Sequence, residues 1–236
     1  MSLLPERHRV LQDIPIQLNE PAVLRRVGIG RDERPIAPDI QTAYARALDV
    51  FERNRHIRAM AVYGMYALQS ISRDHITLEN GFKIVGSFVH EQAPTATAVA
   101  MVICTLGPEI ERISRSYLAG HDMLMRVMLD GVATAAVDQV ETVVARMIRA
   151  KVRASGLAAG RPINPGMPGL PLKTQVSVFQ ILPAHKIGVS LTSGNVMKPL
   201  KSLSFMMAIG LRMAQWSEAP ACGRCHLFSV CRYKKT

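Results

Sequence analysis

Three cysteines near the C-terminus, Cys222, Cys225 and Cys231, stand in a C-x2-C-x5-C pattern. Two thiolates two residues apart can face one ion across a turn, and a three-cysteine set calls for a fourth ligand. Cys104 or His226 could complete a zinc site, or the three cysteines could carry an iron–sulfur cluster. Residues 222–226 also fit the C-x-x-C-H pattern of haem attachment, but that chemistry needs export. A second concentration of chemistry lies in residues 161–204. It opens with RPINPGMPGL, three prolines and two glycines in ten residues, so most of its backbone cannot enter regular ladders and is expected to stay open to a ligand. A basic, serine-rich segment with Lys201, Ser202 and Ser204 closes the stretch. No G-x-S-x-G, Walker loop or H-E-x-x-H accompanies these groups.

The elements around this stretch follow from periodicity. Ile14, Ile16 and Leu18 suggest a short strand, and Pro21 a brief helix to residue 27. Apolar residues at helical spacing predict a helix over 38–54. Residues 57–71 fit strand or helix. Residues 76–85 read as a hairpin turning at Asn80-Gly81. A β-branched run over 97–105 predicts a buried strand, and Pro108, Glu109 and Glu111 open a helix to about residue 117. Leu124, Val127, Met128, Val132, Ala136, Val140, Val144 and Met147 then mark a long helix from 122 to 154. Pro171 is expected to begin a helix with Leu172, Val176, Phe179 and Leu182 on one face. Ile187, Val189 and Leu191 alternate as a strand, Ser193-Gly194-Asn195 turn the chain, and 197–205 return it. The class is α+β, helices mixed with an antiparallel sheet. The expected divisions are an N-terminal lobe over 1–93, a ligand-binding core over 94–215 and a cysteine-rich basic tail over 216–236.

Composition narrows the partners. The chain has 236 residues, 48% hydrophobic and 20% charged, a globular balance. The net charge of +11 is uneven: 15 Lys/Arg against 17 Asp/Glu in residues 1–141, and 14 against the lone Glu218 in residues 142–236. Such polarity points to an acidic partner for the C-terminal part. No apolar run reaches the roughly 18 residues of a membrane span. The opening MSLLPERHRVLQD lacks the apolar middle of a signal peptide, so a cytoplasmic protein with no membrane partner is expected. Aromatics at 5% give few stacking groups, which disfavours nucleic acid. A metal-clipped basic nucleic-acid-binding or interaction protein without catalysis remains the alternative reading.

The segments Asn164-Pro165-Gly166-Met167-Pro168, Leu170-Pro171-Leu172, Ile187-Gly188-Val189-Ser190-Leu191-Thr192, Met197-Lys198-Pro199 and Lys201-Ser202-Leu203-Ser204 resemble the activation (reactivation) domain of cobalamin-dependent methionine synthase. Cys104-Thr105-Leu106-Gly107 before an acidic helix is similar to its stand-alone forms. The resemblance implies an accessory protein that binds S-adenosylmethionine and a corrinoid protein and supports reductive methylation of cob(II)alamin. Cobalamin would be held by the partner, and a flavodoxin or ferredoxin would supply the electron. It further implies that Arg161 takes the ligand carboxylate, that Asp138 or Glu141 is the acidic contact on the preceding helix, and that Asn164, Pro165, Gly166 and Met167 form the ligand loop. Lys201, Ser202 and Ser204 lie on the framing strand. One extra residue separates Arg161 from Pro165-Gly166, and Met167 stands where the family has tyrosine. An iron–sulfur cluster at the tail would supply an electron locally.

Overall fold

Side chains that alternate between two apolar environments make the centre of this protein a sheet with both faces covered. The computed structural model describes residues 8–29, 35–213 and the single residue 229. Its strands are β1 (Arg9–Leu11), β2 (Met60–Ile71), β3 (His75–Leu78), β4 (Lys83–Val85), β5 (Ala98–Thr105), β6 (Ala158–Ala159), β7 (Ser190–Leu191), β8 (Met197–Lys198) and β9 (Ser202–Gly210). Its helices are α1 (Glu20–Arg26), α2 (Pro38–Arg53), α3 (Phe88–Gln92), α4 (Glu109–Ala119), α5 (Met123–Arg153) and α6 (Thr174–Ile181). The antiparallel sheet runs β4-β3-β2-β5-β9-β6, with β1 also on β2, and β7 and β8 form a separate hairpin. The expected α+β class is the class observed.

Strand β5 is the axis. It pairs with β2 from Met60↔Thr105 to Ala67↔Ala98 and with β9 from Ala98↔Ile209 to Thr105↔Ser202. The division drawn at 93/94 falls between α3 and β5, and one continuous sheet joins strands from both sides of it. Along β5, Ala98, Ala100, Val102 and Cys104 face one core, while Val99, Met101 and Ile103 face the other. This is the period-2 consequence of the pleat.

The first core lies under α5. Its buried Met125, Leu129, Val132, Ala136, Val140, Val144, Ile148 and Val152 recur three or four residues apart, a stripe along the whole helix, and residues 131–133 and 135–137 are buried as well, round its middle turns. Asp122 caps the start by accepting from the Met125 amide at 3.0 Å, and Lys151 and Arg153 sit in the last turn, where the dipole favours cations. Helices α1, α2 and α4 pack against α5. The second core is assembled from Phe88 and Val89 of α3, Val178 of α6, Leu170, Leu182, Ile187 and Val189, together with the hairpin residues Ile76, Leu78 and Ile84.

Three local expectations are corrected and one open reading is decided. The first strand is Arg9–Leu11, earlier than Ile14 to Leu18, because β1 takes its register from β2. Residues 60–71 are strand, because pairing on both edges decides what periodicity left open. Helix α6 starts at Thr174 rather than Pro171; Leu172 is 54% exposed, and the buried side chains are Thr174, Gln175 and Val178. The expected strand over 187–191 is instead a 3-10 turn (Ala184–Ile187) followed by the two-residue β7. Gly188 between them has φ +69°, a left-handed conformation that interrupts a strand.

Candidate functional site

The segment after α5 forms the edge of the sheet. Ala159 pairs with Ile209 and Ile163 with Met206, so four steps on the edge answer three on β9. The extra residue makes a bulge, which re-aims side chains, and Arg161 sits within it. Gly160 donates to the Ala208 carbonyl at 2.9 Å, and Ile163 and Met206 exchange bonds at 2.9 Å. On the α5 side of this edge, Arg149 donates to the Gly160 carbonyl at 3.2 Å. Burial, and then the nearby charge of Arg161, push the Arg149 guanidinium below its usual range.

The next residue, Asn164, ties three elements together. Its Nδ2 donates to Glu141 of α5 at 2.7 Å and to the Ser204 carbonyl of β9 at 3.2 Å. The Ser204 hydroxyl lies 3.4 Å from Gln175 Oε1, and Gln175 Nε2 donates to the Asn195 carbonyl at 2.7 Å. Glu141, Asn164, Ser204, Gln175 and the Asn195 turn thus form one connected polar chain across the edge of the sheet. Removing a member would leave buried groups unpaired.

The loop itself is not the open backbone that its prolines and glycines predicted. Gly166 donates to the Leu170 carbonyl at 2.7 Å, Met167 to Asn164 at 3.0 Å and Leu170 to Met167 at 2.9 Å. The Asn164 amide meets Met167 Sδ at 3.5 Å, so Met167 packs back on its own loop. Outside the loop, the Gly169 carbonyl accepts from the amides of Ser87 and Phe88, and Thr174 Oγ1 donates to the Val85 carbonyl at 2.7 Å. Gly169 has φ +83°, and a Cβ there would lie 3.1 Å from Phe88 Cα. The tight turns thus satisfy the amides of Gly166, Met167 and Leu170 with carbonyls of the loop itself.

No protein-family model and no curated protein matches the chain. Among solved structures, the chain is similar to the MetH reactivation domain in its crystal structure bound to AdoHcy. The TM-score is 0.60 at 13% identity, over 91% of this chain and 82% of that one. The chain has the fold of the MetH reactivation domain.

Within this reactivation-domain fold the other expected site residues separate. Asp138 of α5 forms an ion pair with Arg26 of α1, so of the two acids it is Glu141 that meets the loop. Pro165, Gly166 and Met167 stay together in the turn beside Asn164. Lys201 is engaged elsewhere: its Nζ lies 2.7 Å from Asp130 Oδ1 and 2.8 Å from Thr134 Oγ1, tethering β9 to the first half of α5. Ser202 donates to Thr105 Oγ1 at 2.9 Å, and that oxygen also accepts from the Gly107 amide. Cys104 is fully buried in the α5 core, where burial, and then the Glu141 charge, push its thiol well up. No cluster of three metal-ligating side chains occurs among the described residues; Cys222, Cys225, Cys231 and His226 lie outside them. No described helix is long and apolar enough to cross a membrane. Gln175, which no sequence pattern marked, is the central member of the polar chain. Its position two residues after an exposed lysine gave no sign of 5% exposure.

Proposed function

We propose that this protein binds S-adenosylmethionine and serves a corrinoid protein, supporting reductive methylation of its cobalamin. The observation that carries the reading is the fold likeness over 91% of the chain to a domain bound to AdoHcy. AdoHcy is what remains of S-adenosylmethionine after its methyl group has left. In this reading the bulged edge and the loop hold the ligand. The Arg161 guanidinium suits the ligand carboxylate, and Glu141, fixed by Asn164, suits a hydrogen-bond donor of the ligand. The electron comes from a flavodoxin- or ferredoxin-like donor, and the sulfonium carbon–sulfur bond breaks as the methyl passes to the reduced corrinoid. Positioning, more than acid–base chemistry, is the protein's share. The excess of basic residues after position 141 suits an acidic partner surface.

Calorimetry tests this reading. S-adenosylmethionine is expected to bind the full chain, and Arg161→Ala to weaken it by about tenfold or more, the loss of a charge-assisted pair. No heat at millimolar ligand would remove the proposal. Undiminished binding by the variant would remove the role of Arg161. Salt-sensitive binding to random RNA in place of S-adenosylmethionine would favour the basic interaction protein instead.

A further inference from the structure

Nine large hydrophobic side chains of the described residues are exposed, and five of them, Leu118, Met123, Leu124, Val127 and Leu200, belong to one region of the surface. The grouping follows from two contacts. The Leu200 amide donates to the Glu111 carboxylate of α4, and the next residue, Lys201, pairs with Asp130 of α5. Consecutive residues thus bring Glu111 and Asp130 to one face of the two helices. Leu118 follows Glu111 by two turns on the same side of α4. Val127 and Met123 precede Asp130 by one and two turns on α5, and Leu124 adjoins Val127. The inward rows of these helices are a different set, Ile110 on α4 and Met125, Met128 and Leu129 on α5. The exposed row therefore adds nothing to the core, and a contiguous apolar patch of this kind marks an interaction surface.

The surrounding charges select what covers it. Asp122 caps α5 and faces Arg46, Asp130 is held by Lys201, and Glu109 by Arg112. Three cations remain: Arg115, bonded to the Glu111 carbonyl, Arg126, and the exposed Lys198 just before the Pro199-Leu200 step. None of the three has a carboxylate partner among the described residues, and Glu111 alone stands against them. The rim is net positive. A two-fold pairing of copies through this face would bring two such rims together, so the complementary surface is an acidic one on a different protein.

We infer that this face of α4 and α5 is a docking surface for a partner protein that presents apolar side chains within an acidic rim. From Val127 to Glu141 is about 21 Å of helix, so the surface is separate from the loop at Asn164 and does not rest on S-adenosylmethionine binding.

The probe for the test is a synthetic amphipathic helix of Leu and Glu, followed by methyl NMR of the isotope-labelled full chain. The peptide is expected to move the methyl signals of Leu118, Met123, Leu124 and Val127, while those of buried Val140 and Val144 stay still. The same peptide with Lys for Glu, or with Ser for Leu, should leave all of them unmoved. Val127→Ser and Arg126→Gln should each weaken the Leu–Glu peptide by about tenfold, with the backbone spectrum reporting that each variant is folded. Should a variant unfold, the contrast between the Glu and Lys peptides on the wild type decides. No shift at millimolar peptide, shifts elsewhere, equal binding of the Lys peptide, or undiminished binding by folded Val127→Ser overturns the inference. Dimerisation that Val127→Ser abolishes would give the face to a second copy, and shifts produced only by phosphatidylglycerol vesicles would give it to a membrane; either also overturns it.

Discussion

On one face of the sheet a single helix of 31 residues does most of the covering; on the other, α3, α6, a 3-10 turn and the 161–172 loop share the task. The α5 face rests on the apolar burial of that one helix, and its polar groups serve as tethers, Asp130 for Lys201 and Asp138 for Arg26. The opposite face is joined by directed bonds: Ser87 and Phe88 to Gly169, Thr174 to Val85, Gln175 to Asn195 and Ser204. The difference separates two jobs. The α5 face supplies cohesion through apolar burial, which is insensitive to direction. The patched face supplies geometry, and the candidate site lies where the two meet, at Glu141 and Asn164.

The strongest way to break this division is through the stripe. Leu129→Ala removes a fully buried side chain of α5 and should cost about 2–5 kcal/mol. The whole protein should lose stability together, with circular dichroism and loop-specific probes melting at one lowered midpoint. Separate midpoints would show that the patched face does not depend on α5. The next effect should stay local. Gly169→Ala places a Cβ against the Phe88 backbone in a left-handed conformation, at a cost of roughly 1–3 kcal/mol. Hydrogen exchange should quicken at Ser87, Phe88 and residues 164–170 while the middle of α5 keeps its protection. Equal loosening of α5 would erase the distinction.

The same contrast governs what the sequence disclosed. Elements whose stability is local or repetitive were legible: the long helix, expected over 122–154, spans Met123–Arg153. The hairpin turns where Asn80 and Gly81 stand, with the Gly81 amide on the Leu78 carbonyl. The pieces of the patched face were not legible, because tertiary bonds decide them. The alternation of Ile187, Val189 and Leu191 read as strand, yet a 3-10 turn ending at Ile187 and the left-handed Gly188 after it leave Ile187 and Val189 equally well buried. The loop's composition suggested unpaired backbone, whereas tight turns close on themselves at Gly166, Met167 and Leu170. At the site, spacing on α5 allowed Asp138 or Glu141, and only the position of α1 decided that Arg26 takes the first.

The smallest expected effect sharpens the comparison at the rim of the α5 face. A hydrogen bond from Arg112 holds the Glu109 carboxyl down at about 2, from a usual value near 4.5. A depressed folded pKa gives stability present above the unfolded value and lost as pH falls towards the folded one. The melting temperature of the wild type should therefore fall between about pH 4.5 and 2, and Glu109→Gln should flatten part of that limb. Superimposable acid limbs would remove the linkage.

Hydrogen exchange with and without S-adenosylmethionine tests the central claim most directly. The account predicts added protection at residues 160–170 and around Ser204, with the buried stripe of α5 unchanged beyond the turn that carries Glu141. Protection confined to α2, α4 or the first half of α5, or none at saturating ligand, would contradict it.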